Sequence, residues 1–182
     1  MEDANINHQE LQSLRQAAES GDPRAQYNLA MRHIYGNGVP EDNDYATILL
    51  RRAAAQGHVE PQYNLGVCLH YGYGTEVNLA DAFHWYHQSA LRGYAKGMVL
   101  VGDFYLNGWF VAADAGEAVR WYRLSAAQHD PTAECRAEWR LGDCYASGRG
   151  VPKDPVRAAQ WYRIAAAFGI TEAQQALDKL TI

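Results

Sequence analysis

Three sets of side chains in this sequence have types and spacings that could do chemistry. Asp81, His84 and His87 lie three residues apart, so a helix would place them on one face, and such groups ligate zinc. Zinc requires three or four ligands at fixed spacing, and no further histidine or cysteine falls nearby. An exposed histidine pair flanking Trp85 is the plainer reading, and no metal site is expected. Asp103 and Asp143 share one phase of a longer pattern, and a pair of carboxylates can perform acid–base work. Solvated charges explain them more simply. The cysteines, Cys68, Cys135 and Cys144, cannot all pair within one chain, which suits a reducing compartment. No nucleophile elbow, phosphate loop or dinucleotide fingerprint appears. The expectation is no enzyme, no catalytic residue and no cofactor.

Bulk properties exclude further classes. Hydrophobic content of 48% with 12% aromatic residues is ample for a core. A net charge of −5 without a lysine or arginine run argues against a nucleic-acid partner. No apolar run approaches the roughly 18 residues of a membrane span. The opening MEDANINHQE lacks the basic and apolar regions of a signal peptide. A cytoplasmic location is expected, and a periplasmic one only if a leader has been removed.

The elements that position these groups come from a repeat. Leu29-Ala30, Leu65-Gly66, Val101-Gly102 and Leu141-Gly142 begin equivalent units, spaced by 36, 36 and 40 residues. Loops follow at Gly36-Asn37-Gly38-Val39, Gly72-Tyr73-Gly74-Thr75, Gly108-Trp109-Phe110-Val111 and Gly148-Arg149-Gly150-Val151. Asp42, Asn78, Asp114 and Asp154 then stand where each can cap a second helix, accepting its free backbone N–H groups. Inside those helices Leu49-Leu50, Trp85-Tyr86, Trp121-Tyr122 and Trp161-Tyr162 are in phase, flanked by alanines. Each unit therefore reads as helix–loop–helix, unable to bury its apolar face alone.

The expected organisation is one repeat domain over 1–182. It comprises an N-terminal capping half repeat at 7–22, repeats at 23–58, 59–94, 95–130 and 131–170, and a C-terminal capping helix at 171–182. The third junction carries four extra residues and has His129 where other junctions have glycine. Four residues are about one turn, so the insertion should lengthen a helix without rotating its face.

These motifs resemble the Sel-one-like repeat family, relatives of the tetratricopeptide repeats. The unit from Ala137 to Gly169 carries nearly every position of the family pattern, and the likeness extends over about residues 25–173. The resemblance implies an all-α fold, an α/α solenoid winding as a right-handed superhelix, and an adaptor or scaffold role without shared catalytic residues. The chain departs from the pattern at Ala30, His33, Leu49-Leu50, Thr75 and Phe110, so its first repeat is expected to pack less tightly. Some members are secreted with a disulfide in each repeat. Here Cys68 and Cys144 share a phase two repeats apart and Cys135 has no mate, so that pattern is not met.

By analogy with tetratricopeptide packing, first helices line a concave groove. The implied groove residues are Arg24, Tyr27, Met31, Tyr35, Tyr63, Val67, His70 and Tyr71 in the first two repeats. In the last two they are Lys96, Asp103, Arg136, Trp139 and Asp143. The groove is thus aromatic and apolar in its first half and charged in its second. Aromatic residues and arginine anchor peptides, although the tyrosines would also serve simply to cover seams between repeats. Asn28 and Asn64 with Lys96 and Arg136 are similar to a carboxylate clamp, yet Leu100 interrupts the amide row. Trp109 and Phe110 form a possible loop patch, or else fold back onto a neighbouring unit. The expected function is a protein–protein scaffold holding a peptide or protein segment, as a monomer or homodimer. The alternatives are an immunity protein that neutralises a bacterial effector, and a hydrolase or cell-wall-binding protein using Asp103 and Asp143.

Overall fold

The structure, a computed structural model, describes residues 2–128 and 136–180, with side chains from residue 8 onward. Among the described residues there are ten α-helices and no strand. Their order is α1 (Glu2–Glu19), α2 (Pro23–Tyr35), α3 (Asn43–Ala55), α4 (Val59–Tyr71), α5 (Leu79–Leu91), α6 (Ala95–Asn107), α7 (Ala115–Ala126), α8 (Arg136–Ser147), α9 (Pro155–Ala167) and α10 (Thr171–Lys179). The chain divides into two compact units, residues 1–89 and 90–182. In unit 1, α1 packs on α2, α2 on α3 and α3 on α4. In unit 2, α6 packs on α7, α7 on α8, α8 on α9 and α9 on α10. The four-residue insertion, His129 and Cys135 lie outside the described residues.

The predicted caps close the second helices. Asp42 accepts the backbone N–H of Tyr45 at 2.9 Å, and Asp114 and Asp154 accept those of Glu117 and Arg157 at 3.0 Å. Asn78 does the same for Asp81 at 3.0 Å. Each cap satisfies a donor that the helix cannot, worth about 1 kcal/mol. The capping residue also donates its own N–H backward across the loop. Asp42 reaches the carbonyl of His33, Asn78 that of Leu69, Asp114 that of Tyr105 and Asp154 that of Tyr145, all within 2.8–3.1 Å. This bond ties each loop to the helix that precedes it.

Helix pairing rests on one close contact. A β-carbon added to Gly66 would fall 2.7 Å from the ring of Tyr86, and Gly102 and Gly142 stand in the same relation to Tyr122 and Tyr162. The missing side chain lets the tyrosine lie flat on the helix backbone. In the first repeat the equivalent residues are Ala30 and Leu50, both fully buried along with Leu29 and Leu49. These positions are as fully buried as their equivalents, a larger residue on one helix standing opposite a smaller one on the other.

The loops share a second close approach. Gly74 has φ of +61°, and a β-carbon there would overlap the backbone of Asn43 at the start of α3. Gly150 stands likewise against Ala115 at the start of α7. At the matching position of the third loop, Phe110 adopts φ of +64°, a conformation that side chains other than glycine seldom take.

Candidate functional site

In unit 1 three cavities border α2, and two of them are shared with α4. The first, of about 330 Å³, lies at the helix starts and is lined by Arg24 and Tyr27 with Asn28, His58, Glu60 and Pro61. Burial and then the Glu60 charge push the Tyr27 hydroxyl above its usual pKa. The second, of about 300 Å³, lies toward the helix ends, where Met31, Ile34, Tyr35, Asn64, Val67 and Cys68 meet Asn43 and the loop residue Tyr73. The third, of about 540 Å³, runs between α1 and α2 from Glu10, Ser13 and Leu14 to Met31, Arg32 and Tyr35.

The remaining predicted residues of unit 1 form an aromatic cluster. Tyr63 packs on Tyr86 with ring centres 5.8 Å apart. His70 stacks on Tyr71 at 4.5 Å and lies 3.5 Å from the Tyr86 hydroxyl. Tyr71 stacks in turn on Tyr73 at 5.8 Å. Tyr35, Tyr71 and Tyr73 are 71%, 58% and 52% exposed, so three large rings face solvent on one unit. Asn64 donates to the carbonyl of Glu60 at 2.9 Å and sits 3.5 Å from the Tyr27 hydroxyl.

Unit 2 places charges at the corresponding positions. Asp103 is buried, and Tyr122 donates its hydroxyl to it at 2.7 Å. Arg140 grips the same carboxylate through Nε at 2.9 Å and Nη2 at 3.2 Å, the fork geometry that arginine favours. The guanidinium also lies 4.6 Å over the ring of Trp139. Asp143 accepts the Tyr162 hydroxyl at 2.8 Å and lies 4.0 Å from Arg140. Desolvation raises its pKa, partly offset by the Tyr162 bond and the Arg140 charge. Asp103 is therefore a desolvated ion-pair member rather than a solvated groove charge. Lys96 is half-buried and Arg136 exposed at the starts of α6 and α8.

Other groups with chemical potential are held in packing roles. Asp81 accepts the side-chain amide of Asn78 at 2.9 Å, within the cap. His84 meets Trp85 edge-on at 5.1 Å and His87 stacks on Phe83 at 5.7 Å. Burial and then His84 lower the pKa of His87. No group of three or more metal-ligating side chains converges among the described residues. Burial raises the pKa of the Cys68 thiol and pushes that of Cys144 up to about 11, so both stay protonated and unreactive near neutrality. In the third loop, Trp109 turns edge-on to Phe104 of its own unit at 5.6 Å, while Phe110 remains exposed.

Sequence reasoning brought Met31, Tyr35 and Val67 to one cavity and Arg24 with Tyr27 to another. It missed Tyr73 and Arg140. Tyr73 was readable as an aromatic in a loop whose equivalents are Asn37, Trp109 and Arg149. Arg140 left no periodic trace, since Asn28, Asn64 and Leu100 hold its place elsewhere.

A family model described as Sel1 repeat matches residues 23–58, 62–94, 95–130 and 135–167. Among solved structures, the chain is similar to a Sel1 repeat protein from Oxalobacter formigenes, at 32% identity and a TM-score of 0.86 over 94% of this chain and 69% of that one. It is also similar to c5321, a protective antigen present in uropathogenic Escherichia coli strains and displaying an SLR fold. There the identity is 30% and the TM-score 0.66, over 91% of this chain and 42% of the longer one. Helicobacter pylori cysteine rich protein B shares the fold, at 23% identity and a TM-score of 0.54 over 71% of this chain and 95% of that one. No curated protein matches the chain. The architecture is an α/α solenoid of consecutive helical repeats.

Proposed function

The chain belongs to the Sel1 repeat family, and from that membership we propose a non-catalytic interaction module whose unit 1 holds an extended segment of a partner protein along α2 and α4. Repeats of this family generally mediate protein–protein interaction, and the family consists mostly of non-catalytic scaffolds. The observation that carries the reading is the row of cavities beside α2, from Arg24 near its start to Tyr35 at its end. The 13 residues of α2 span about 20 Å, room for about six residues of extended chain. Exposed tyrosines and an arginine along that length are the residue types that anchor partners. Unit 2 supports a binding role less, because Asp103 and Arg140 already satisfy one another.

Selection of short random peptides by the full chain tests this reading. A Tyr35→Ala/Tyr71→Ala variant, confirmed as helical by circular dichroism, serves as the comparison. Peptides enriched on the wild type alone are the expected result. Enrichment that ignores both substitutions places binding elsewhere and sinks the reading.

A further inference from the structure

We propose that the cavity between α2 and α4 is a proline site, so that unit 1 recognises a proline-rich segment in the polyproline II conformation with one prolyl ring seated against Tyr35 and Tyr73. The inference rests on the reading of unit 1 as a segment-holding face and names the segment's chemistry.

Charge complementarity selects the occupant first. None of the eight side chains lining this cavity is charged. A charged residue seated there would lose its hydration with no counter-ion to replace it. Half of the lining, Met31, Ile34, Val67 and Cys68, is apolar or nearly so and offers a sugar ring too few partners for its hydroxyls. Asn64, one of the two amides in the lining, already donates to the Glu60 carbonyl. A neutral, flat-sided and mostly apolar group fits these walls.

Preorganisation then favours proline over other neutral residues. The Tyr73 carbonyl accepts the hydroxyl of Thr47 at 2.9 Å, and neighbouring Gly74 lies directly on the Asn43 backbone. The loop that carries the Tyr73 ring is thereby fixed to α3, and Tyr71 stacks on that ring. An aromatic on an anchored loop best suits a ligand that is rigid as well. A polyproline II segment has little conformational freedom to lose and keeps its backbone hydrated. Aromatic-lined grooves exploit this preformed helix wherever proline-rich segments are read.

The experiment uses the whole folded chain and three probes: an oligoproline peptide, an alanine–valine peptide of equal length, and an N-acetylglucosamine oligomer. Binding is followed by anisotropy of the labelled probe and by shifts of the tyrosine ring protons. The expected result is saturable binding of oligoproline, weakened about tenfold by Tyr73→Ala or Tyr35→Ala and retained in Tyr73→Phe. Equal, Tyr35-dependent binding of the alanine–valine peptide overturns the proline assignment while the segment-holding face stands. Tyr73-dependent binding of the sugar oligomer overturns it in favour of a glycan. If neither peptide binds, or binding ignores both tyrosines, this inference and the reading of unit 1 fall together.

Discussion

In the first repeat of unit 1 the two positions of the close helix contact hold Ala30 and Leu50, both buried, with Met31 next in sequence to Ala30. The same three positions in the first repeat of unit 2 are Gly102, Tyr122 and Asp103. The exchange is not cosmetic. A tyrosine laid on a glycine brings a hydroxyl into a buried place, and a buried hydroxyl needs a partner. Asp103 supplies the acceptor at 2.7 Å. A buried carboxylate needs a cation in turn, and Arg140 supplies it with two bonds. Gly142, Tyr162 and Asp143 repeat the arrangement in α8 and α9. Charge on the face of unit 2 thus follows from the partner chosen for its tyrosines, whereas the buried Tyr86 of unit 1 has its hydroxyl 3.5 Å from the His70 ring and no acid at the equivalent position. Unit 1 carries Met31 and Val67 at those positions, and both line a cavity without charged residues, beside exposed rings. A charged surface in a repeat protein can record how the core was filled rather than what the surface binds.

Arg140→Met is the substitution that should break this comparison hardest. It keeps an apolar stem near Trp139 but strands the Asp103 carboxylate, at 11% side-chain exposure. Removing one partner of a buried pair costs about 3–5 kcal/mol. Adding Asp103→Asn should recover most of that loss, since the amide oxygen still accepts the Tyr122 hydroxyl. Urea unfolding of the single and double variants reads the difference. A single variant within about 0.5 kcal/mol of wild type, the range of an ordinary surface change, would show that the carboxylate never needed its cation.

The size match between helices provides a smaller and symmetrical test. Gly102→Ala pushes a methyl group into the Tyr122 ring and should destabilise by about 1–3 kcal/mol. Combining it with Tyr122→Leu recreates the pair found at Ala30 and Leu50. A double-mutant cycle should then show favourable coupling of at least about 1 kcal/mol. The reverse change, Ala30→Gly, should cost about 1 kcal/mol through helix propensity. Additive effects at Gly102 and Tyr122 would mean that the two repeats are filled independently of size.

Much of this fold was legible because its signals are local or periodic. The caps at Asp42, Asn78, Asp114 and Asp154 act on donors three residues away, and glycine spacing marked each loop. The partners of the groove residues were harder to see. Asp103 and Asp143 stood out as possible acid–base groups, yet their hydroxyl partners lie 19 residues onward. Both follow a glycine and precede a tyrosine at that distance, whereas Gly66-Val67 precedes Tyr86 without an acid. That contrast was available in the sequence. Arg140 was not, because its bond to Asp103 spans 37 residues and no other repeat carries an arginine there. Tyr73 escaped because the expected groove drew only on helices, while the cavity takes one wall from a loop.

Asp143 offers the smallest effect and the finest distinction. Unlike Asp103, it shares Arg140 at 4.0 Å rather than holding it, and desolvation keeps its pKa raised. A carboxyl whose folded pKa lies above its unfolded value favours the protonated form of the native state. Ionised Asp143 therefore weakens unit 2 above that raised value. The penalty lifts as pH falls from there toward the usual carboxylate value near 4. Asp143→Asn removes the charge and keeps an acceptor for Tyr162. The variant should be at least as stable as wild type at neutral pH, with the difference vanishing as the pH approaches about 4. Urea unfolding across that range measures it. Were wild type instead to gain on the variant with rising pH, the carboxylate would be favourably ionised in the fold. Arg140 would then stabilise Asp143 at 4.0 Å as well as Asp103 at 2.9 Å.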